Sequence, residues 1–197
     1  MKRTRGYRLG RRGEAAQETR QRIVEATFAL HERQGVAATS MKQIAEEAGV
    51  SVGSVYHHFP TYEDAINACG QHTMTIAPVP TPDLLEGITA LRARVEQLAV
   101  AVFEWFERVP GFGLVRSDQD KVPVLKPFME AEENNRLGLM QLALQSAELN
   151  ERQCRVAASL LDFEVYQGLR RAGLAPQEAA HQITTVIVGW VENGARE

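Results

Sequence analysis

The stretch between positions 40 and 62 of the chain contains several residues whose types can do chemistry. Hydroxyl, ammonium and imidazole groups recur there, and such groups bond phosphate oxygens and the edges of bases. Small residues among them leave the backbone open to close approach. The candidates for contact with nucleic acid are Ser40, Lys42, Ser51, Val52, Gly53, Ser54, Tyr56, His57, His58 and Tyr62.

The adjacent pair His57 and His58 also raises the question of a metal site. Consecutive residues on a helix point roughly 100° apart, and no nearby carboxylate pair or cysteine completes a ligand set. Cys69 and Cys154 are too far apart for the spacing of a zinc site, and they form no disulfide framework. We therefore predict no metal and no other cofactor.

An enzyme is the first alternative from a different functional class. The sequence contains no glycine-rich phosphate loop, no nucleophile elbow and no cluster of metal ligands. Scattered glutamates and histidines on helices are typical of solvated faces. We therefore expect no catalytic residues and predict that the chain is not an enzyme.

Charge is unevenly distributed along the 197 residues. The net charge is -3, but the first 60 residues hold ten Lys and Arg against six Glu, and the rest hold twelve against nineteen acidic residues. Because phosphates attract basic surfaces, contact with DNA is expected from the N-terminal part. Residues 1–16 are predicted to form a flexible basic arm that follows the DNA backbone or minor groove. A solubilising tail is the alternative interpretation.

Apolar stretches are too short for insertion into a membrane or for export. No run of about 18 apolar residues occurs, and no apolar segment of signal-peptide length follows the basic start. We expect no membrane partner and a location in the reducing cytoplasm.

Apolar residues recur at helical spacing throughout, whereas alternating strand patterns are short and isolated. This predicts an all-α fold of about nine helices, in which an N-terminal three-helix helix-turn-helix domain precedes a larger helical domain. Three prolines between positions 78 and 82 interrupt the helical pattern and indicate the domain boundary. The predicted regions are the arm at 1–16, the helix-turn-helix domain at 17–76 and the second domain at 77–197.

Capping residues predict the helices of the first domain. A first helix is expected from about Gln17 to Gln34, with Gly35 as its stop. Ser40 and Gln43 are spaced for a capping box at the start of a second helix.

Further along, Gly49 suits the sharp turn between two helices, and Ser51 is expected to cap a third helix over residues 52–58. A fourth helix is predicted over residues 62–72. In the second domain Thr81 and Pro82 are expected to open a long helix that ends near residue 108, and residues 109–122 are interpreted as a loop.

The order of residues in the first domain resembles the DNA-binding domain of the TetR family. The resemblance covers about Gln17 to Ala68, and the remainder is compatible with the family only in length and helical character. The matching residues are Ile23-Val24-Glu25-Ala26, Gly35, Thr39-Ser40, Ile44-Ala45-Glu46-Glu47-Ala48-Gly49-Val50-Ser51, Gly53-Ser54-Val55-Tyr56 and His58-Phe59.

The resemblance implies a ligand-responsive transcriptional regulator. In this interpretation the chain is a repressor that binds double-stranded DNA at a palindromic operator as a homodimer and is released by a small-molecule effector. A ligand-independent DNA-binding factor of the same fold is the alternative. A cavity lined by the aromatic residues of the second domain favours the first interpretation, and a fully packed interior favours the other.

Individual roles follow from the same resemblance. The start of the third helix, residues 51–54, is similar to the family's base-reading surface, and residues 56–58 are similar to its phosphate contacts. Ser40 and Lys42 lie at a helix N-terminus, which favours a phosphate. The chain departs from the family at Tyr62, where many members have a lysine, and at His31, where a core aromatic is usual.

In the second domain the resemblance favours a four-helix dimer interface and an apolar effector pocket. Apolar stripes on the last two helices supply the predicted interface, although such stripes also suit a core within one chain. The predicted interface residues are Leu161, Val165, Leu169, Ile183, Ile187 and Trp190. The pocket for an apolar or amphipathic effector is predicted at Phe103, Phe106, Phe112, Phe128, Met129, Met140, Phe163 and Tyr166.

Overall fold

A computed structural model describes the backbone of residues 5–193 and the side chains of residues 13–193. Ten α-helices and three short 3-10 turns occupy that range, and no strand is present in it. The helices are α1 (Arg5–Gln34), α2 (Met41–Ala48), α3 (Val52–His58), α4 (Tyr62–Ile76), α5 (Leu91–Arg108), α6 (Phe112–Ser117), α7 (Lys126–Ala143), α8 (Glu151–Ser159), α9 (Phe163–Arg171) and α10 (Pro176–Asn193). The predicted all-α fold is confirmed.

The chain divides into two compact units. The first unit comprises Met1–Ile76 together with Gly111–Lys126, and the second comprises Ala77–Pro110 together with Pro127–Glu197. The break after residue 76 lies two residues before the first of the three prolines, Pro78. The prediction that all of residues 77–197 form one domain is wrong, because the segment that carries α6 packs against α1 in the first unit.

The helix boundaries of the first unit follow the predicted caps. Gly35 ends α1 with a positive φ of 83°. Ser40 and Gln43 form the capping box that begins α2, and Gly49 ends it in the left-handed region. Ser51 caps α3 through a hydrogen bond from the backbone N–H of Ser54. Each cap satisfies helix-end groups that would otherwise lack a partner.

The predicted flexible arm is partly wrong. The backbone of residues 5–16 continues α1 toward the N-terminus, so this helix begins at Arg5 instead of near Gln17. Arginine, leucine, glutamate and alanine favour a helix, and each glycine there opposes it by only about 1 kcal/mol. Residues 1–4 and the side chains of residues 5–12 lie outside the described part, as do the contacts predicted for the arm.

The start of the second unit also differs from the prediction. Pro82 opens only a 3-10 turn, Pro82–Leu85, and the Thr81 hydroxyl bonds the side chain of Asp83 instead of capping a helix. Gly87, with a φ of 73°, then turns the chain before α5 begins at Leu91.

The region interpreted as a loop at 109–122 contains a helix as well. Gly111, with a φ of 72°, stands immediately before α6 and permits the sharp change of direction there. The short helix was missed because six residues are too few for an amphipathic pattern to show.

The core of the second unit lies between α5, α9 and α10, which pack against one another. The rings of Phe103 and Tyr166 pack in a tilted arrangement with their centroids 4.7 Å apart, and those of Phe106 and Phe163 pack edge to face at 5.1 Å. The buried Arg94 is satisfied by backbone carbonyls, including those of Ile88 and Leu142 at 2.7 Å each. Such bonds remove the cost of burying its polar head.

None of the helices in the described part of the chain is both long enough and apolar enough to cross a lipid bilayer.

Candidate nucleic-acid interface

Helix α3 is held to the first unit by one side and leaves the other side open. Val55 is fully buried, and Phe59, which caps the C-terminal end, is 2% exposed. By contrast, Val52 is 38% exposed and Tyr56 is 50% exposed. Two apolar anchors thus fix a seven-residue helix whose outward face carries only small or hydrogen-bonding side chains, and a helix with such a face can enter a major groove.

The leading end of α3 shows little steric bulk. Gly53 is exposed, and a Cβ built there would meet only the Ser51 hydroxyl oxygen, at 3.9 Å. That hydroxyl accepts a hydrogen bond from the N–H of Ser54 at 3.1 Å and keeps its proton free to donate outward. Bases can therefore approach this backbone closely.

Two of the predicted contacts, Ser40 and Lys42, lie at the start of α2, and they differ in how far their side chains are engaged within the chain. Ser40 uses its hydroxyl inside the chain, because it donates to the Gln43 side chain at 2.9 Å and accepts from the Gln43 N–H at 3.3 Å. Lys42 is 78% exposed at its side chain and meets Glu46 at 3.8 Å. A surface pair of this kind contributes about 0–1 kcal/mol, so Lys42 can exchange it for a phosphate.

His57 and His58 stand at the far end of α3 with their ring centres 5.3 Å apart. Burial, His57 and the nearby Arg20 together lower the pKa of His58 below its ordinary value of 6.5. His58 is therefore neutral at neutral pH and offers one ring N–H as a donor. In the described part of the chain no group of three or more His, Cys, Asp or Glu side chains is placed to hold a metal ion.

Arg20 is a candidate contact that the sequence pattern did not single out. Its guanidinium lies over the Phe59 ring at 4.9 Å from the centroid, which brings a positive charge to the C-terminal end of α3. A cation held on an aromatic face is preorganised, and Arg favours phosphate. The only sequence signal was the basic character of the N-terminal part, because the contact joins residues 39 positions apart in the chain.

The structure contradicts the predicted phosphate contact of Tyr62. Its hydroxyl donates to the backbone carbonyl of Val36 at 2.7 Å and meets Nε2 of His31 at 3.0 Å. A phenol has a single proton to donate, so His31 must donate its Nε2–H to Tyr62. The ring of Tyr62 packs against the core, and its hydroxyl is bonded within the unit.

His31 and Tyr62, the two positions at which the chain departs from the family pattern, are therefore hydrogen-bonded to each other. His31 is 5% exposed, and burial lowers its pKa from 6.5 to about 4 although Asp118 partly opposes this effect. The bond to Tyr62 requires a proton on Nε2, and the neutral imidazole supplies it in that tautomer. Burial also raises the pKa of Tyr62 well above its usual value of 10, so the phenol keeps its proton.

Comparison with known proteins gives a family match within the first unit. The profile of "Bacterial regulatory proteins, tetR family" matches residues 23–69, which include α2 and α3. Residues 23–69 thus resemble the tetR family of bacterial regulatory proteins in sequence. The matched residues include the two anchors of α3, the capping box of α2 and the exposed face of α3.

Among curated relatives, the regulator AcrR of Shigella flexneri is 47% identical over 49 residues, which are 25% of this chain and 23% of AcrR. SrpR of Pseudomonas putida is 42% identical over 72 residues, 35% of this chain and 33% of SrpR. The matched stretch therefore spans a quarter to a third of the length of these relatives. Both relatives are described as HTH-type transcriptional regulators, not as enzymes.

Solved structures extend the likeness in fold along the chain. A tetR-family transcriptional regulator from Streptomyces coelicolor has a TM-score of 0.67 at 20% identity, covering 88% of this chain and 80% of that one. The multidrug binding protein EbrR, complexed with imidazole, has a TM-score of 0.60 at 22% identity, covering 86% and 89%. The second unit thus shares its helical fold with these proteins.

The residues predicted for a dimer interface fall into two groups. Leu161, Ile183 and Ile187 are buried within one chain, at 0%, 6% and 0% exposure, so their assignment to an interface between chains is wrong. They lie on the faces of the last helices that fill the unit's own core. Val165, Leu169 and Trp190 remain half-exposed.

The residues predicted for an effector pocket also differ in burial. Phe103, Phe106, Met140, Phe163 and Tyr166 are buried in the second unit. Phe128 and Met129, on α7, are half-buried.

Phe112 does not belong with this set. It lies on α6, which packs with the first unit, so grouping it with the aromatic residues of the second unit is wrong. No pattern in the sequence indicates that the chain leaves the second unit between α5 and α7.

Proposed function

We propose that the protein is a DNA-binding transcriptional regulator that inserts α3 into the major groove of double-stranded DNA. The observation that carries this proposal is the disposition of α3, which is anchored by Val55 and Phe59, exposes Val52, Gly53 and Tyr56 and leaves Ser54 half-exposed. Small side chains at the leading end permit base contacts, and Tyr56, His57 and Arg20 supply donors for the flanking phosphates. A regulator of bacterial genes of this kind acts in the cytoplasm, where the DNA is.

We further propose that it binds a palindromic operator as a homodimer. A seven-residue helix reads few base pairs, and two copies one helical turn apart supply the missing specificity. Half-exposed apolar residues of α9 and α10 support a dimer surface, and Val186 on α10 is 54% exposed. The proposed surface consists of Val165, Leu169, Val186 and Trp190.

We propose that the regulator is a repressor, released by a small apolar or amphipathic effector bound among the aromatic residues of the second unit. EbrR, similar in fold, is described as a multidrug binding protein, which supports this interpretation. The direct contacts of Phe103 and Phe106 with Tyr166, at ring distances of 4.7 and 5.8 Å, support the second candidate, a ligand-independent factor of the same fold.

Selection of bound duplexes from random DNA tests the proposal. The expected result is enrichment of one palindromic sequence, bound by two chains. Small molecules are then screened for release of that duplex. Retention of no sequence above the random background contradicts DNA recognition, and enrichment without release by any compound favours the ligand-independent factor.

A further inference from the structure

The turn between α1 and α2, residues 35–39, is held by side chains from two other parts of the first unit. Tyr62 of α4 donates to the carbonyl of Val36 at 2.7 Å. Asp118, which follows α6, accepts a hydrogen bond on its Oδ2 from the backbone N–H of Ala37 at 2.9 Å. The turn leads directly into α2, which packs against α3. Its position therefore sets the position of both helices.

Asp118 is a buried carboxylate with defined partners. The residue is 6% exposed, and its Oδ1 lies 3.1 Å from Nζ of Lys121. Burial by itself would raise its pKa, but hydrogen bonds from the backbone at Ala37 and Val36 and the nearby Lys121 outweigh that effect and hold the pKa below its ordinary value. Asp118 is thus ionised at neutral pH, and a charged acceptor forms a stronger bond than a neutral one.

The fit between this segment and the end of α1 is close. A Cβ at Gly35 would lie 2.6 Å from Oδ2 of Asp118, and a Cβ at Gly111 would lie 2.6 Å from Cα of Glu32. No real Cβ stands that near to another heavy atom, so both glycines are required by close approach. Leu125 packs with Val36 beneath the same turn. Polar and apolar contacts together leave the segment little freedom to shift without moving the turn.

We propose that Asp118 is the positioning residue through which segment 111–126 sets the α1–α2 turn and hence the DNA-reading helices. The segment is continuous in sequence with α5 on one side and α7 on the other, both of which belong to the second unit. This inference rests on the proposed DNA-binding function.

The test compares Asp118→Ala and Asp118→Asn with Asp120→Asn in the full-length chain. Asp120 is a matched control because it lies in the same segment, carries the same charge and is 88% exposed at its side chain. The measurements are the Kd for the selected duplex, taken well below the melting temperature and corrected for the active fraction, and amide hydrogen exchange of the peptide that spans the turn.

We expect Asp118→Ala to weaken binding by about tenfold or more and to speed exchange at residues 36 and 37. Asp118→Asn is expected to have a smaller effect, since its amide oxygen still accepts one N–H, and it carries the test should Asp118→Ala fail to fold. Asp120→Asn should match the wild type in both measurements.

Two results overturn the inference in different ways. If the Asp118 variants melt earlier but bind the duplex with the wild-type Kd, the carboxylate only stabilises the fold and does not position the reading helices. If the wild-type chain retains no duplex in the selection, the proposed DNA-binding function itself fails, and the role of Asp118 fails with it.

Discussion

The two units of the molecule differ in where they keep their candidate functional side chains. In the first unit, α3 carries small and hydrogen-bonding residues outward and only Val55 inward. In the second unit, most of the aromatic and apolar residues that the sequence singled out are buried in the chain's own core. Exposed polar groups on a short anchored helix identify a surface, whereas an apolar stripe on a long helix does not say which partner covers it.

The largest expected effects come from substitutions on the buried and the exposed face of α10. Ile187 is fully buried and its neighbour Val186 is 54% exposed. Ile187→Ala should lower the free energy of unfolding by about 2–5 kcal/mol, because it leaves a cavity in the core. Val186→Asp should keep the helical circular dichroism of the wild type and shift the chain from dimer to monomer in sedimentation. A destabilised Val186→Asp chain, or one that stays dimeric, would remove Val186 from the proposed surface.

The second prediction tests the open face of α3. Gly53→Glu places a bulky anion at the position where the backbone approaches DNA, so affinity for the selected duplex should fall at least about 100-fold, or about 2.7 kcal/mol. Gly138→Glu is the control, because Gly138, like Gly53, is an exposed helical glycine, and a Cβ built at Gly138 has no atom within 4 Å. Both variants should melt near the wild type. Equal DNA affinity in the two variants would contradict the assignment of α3.

The third prediction concerns the buried imidazole of the first unit. The pKa of His31 is about 4 in the folded chain against an ordinary value of 6.5, so the unfolded chain binds the proton first as the pH falls. Above about pH 6.5 His31 is neutral in both states and does not lower the free energy of unfolding. As the pH falls from about 6.5 to 4, protonation of the unfolded chain lowers that free energy by at most about 3 kcal/mol. In His31→Phe this part of the decline should be absent from urea unfolding measured across that window. A variant with the wild-type pH profile would show that His31 is not the titrating group.

The smallest effects distinguish the two tyrosines near the reading surface. Tyr56→Phe should weaken binding to all DNA sequences alike by about two- to tenfold, because a phosphate contact of about 1 kcal/mol is lost. The free energy of unfolding should not change. Tyr62→Phe should instead lower the free energy of unfolding by about 1–2 kcal/mol, since it leaves the N–H of His31 without its partner and removes one of the two donors to the carbonyl of Val36. Chemical denaturation and binding titrations check both. A stability loss at Tyr56 but none at Tyr62 would reverse the assignment.

Local signals explain why the first unit could be predicted in such detail. Caps such as Ser40, Ser51 and Gly49 act over three or four residues, so sequence alone determines where the short helices begin and end. The role of Tyr62 could not be found in this way. Its hydroxyl depends on His31 and on the Val36 carbonyl, which only the tertiary fold brings together.

Long-range packing explains the errors in the second unit. The periodicity of α10 shows that one face is apolar, but the contact of α10 with α5 in the same chain decides that Ile183 and Ile187 are core. The departure of residues 111–126 to the first unit depends on Asp118 and on close approach at Gly111. Neither contact leaves a periodic trace in the sequence.

Dimethyl sulfate protection of the selected duplex tests most directly whether α3 lies in the major groove, because the reagent methylates guanine N7 there. Insertion of α3 predicts two protected clusters about one helical turn or a multiple of it apart, both lost with Gly53→Glu and both kept with Gly138→Glu. Protection that survives Gly53→Glu, or a bound duplex whose guanine N7 positions all stay reactive, would contradict this placement of the helix.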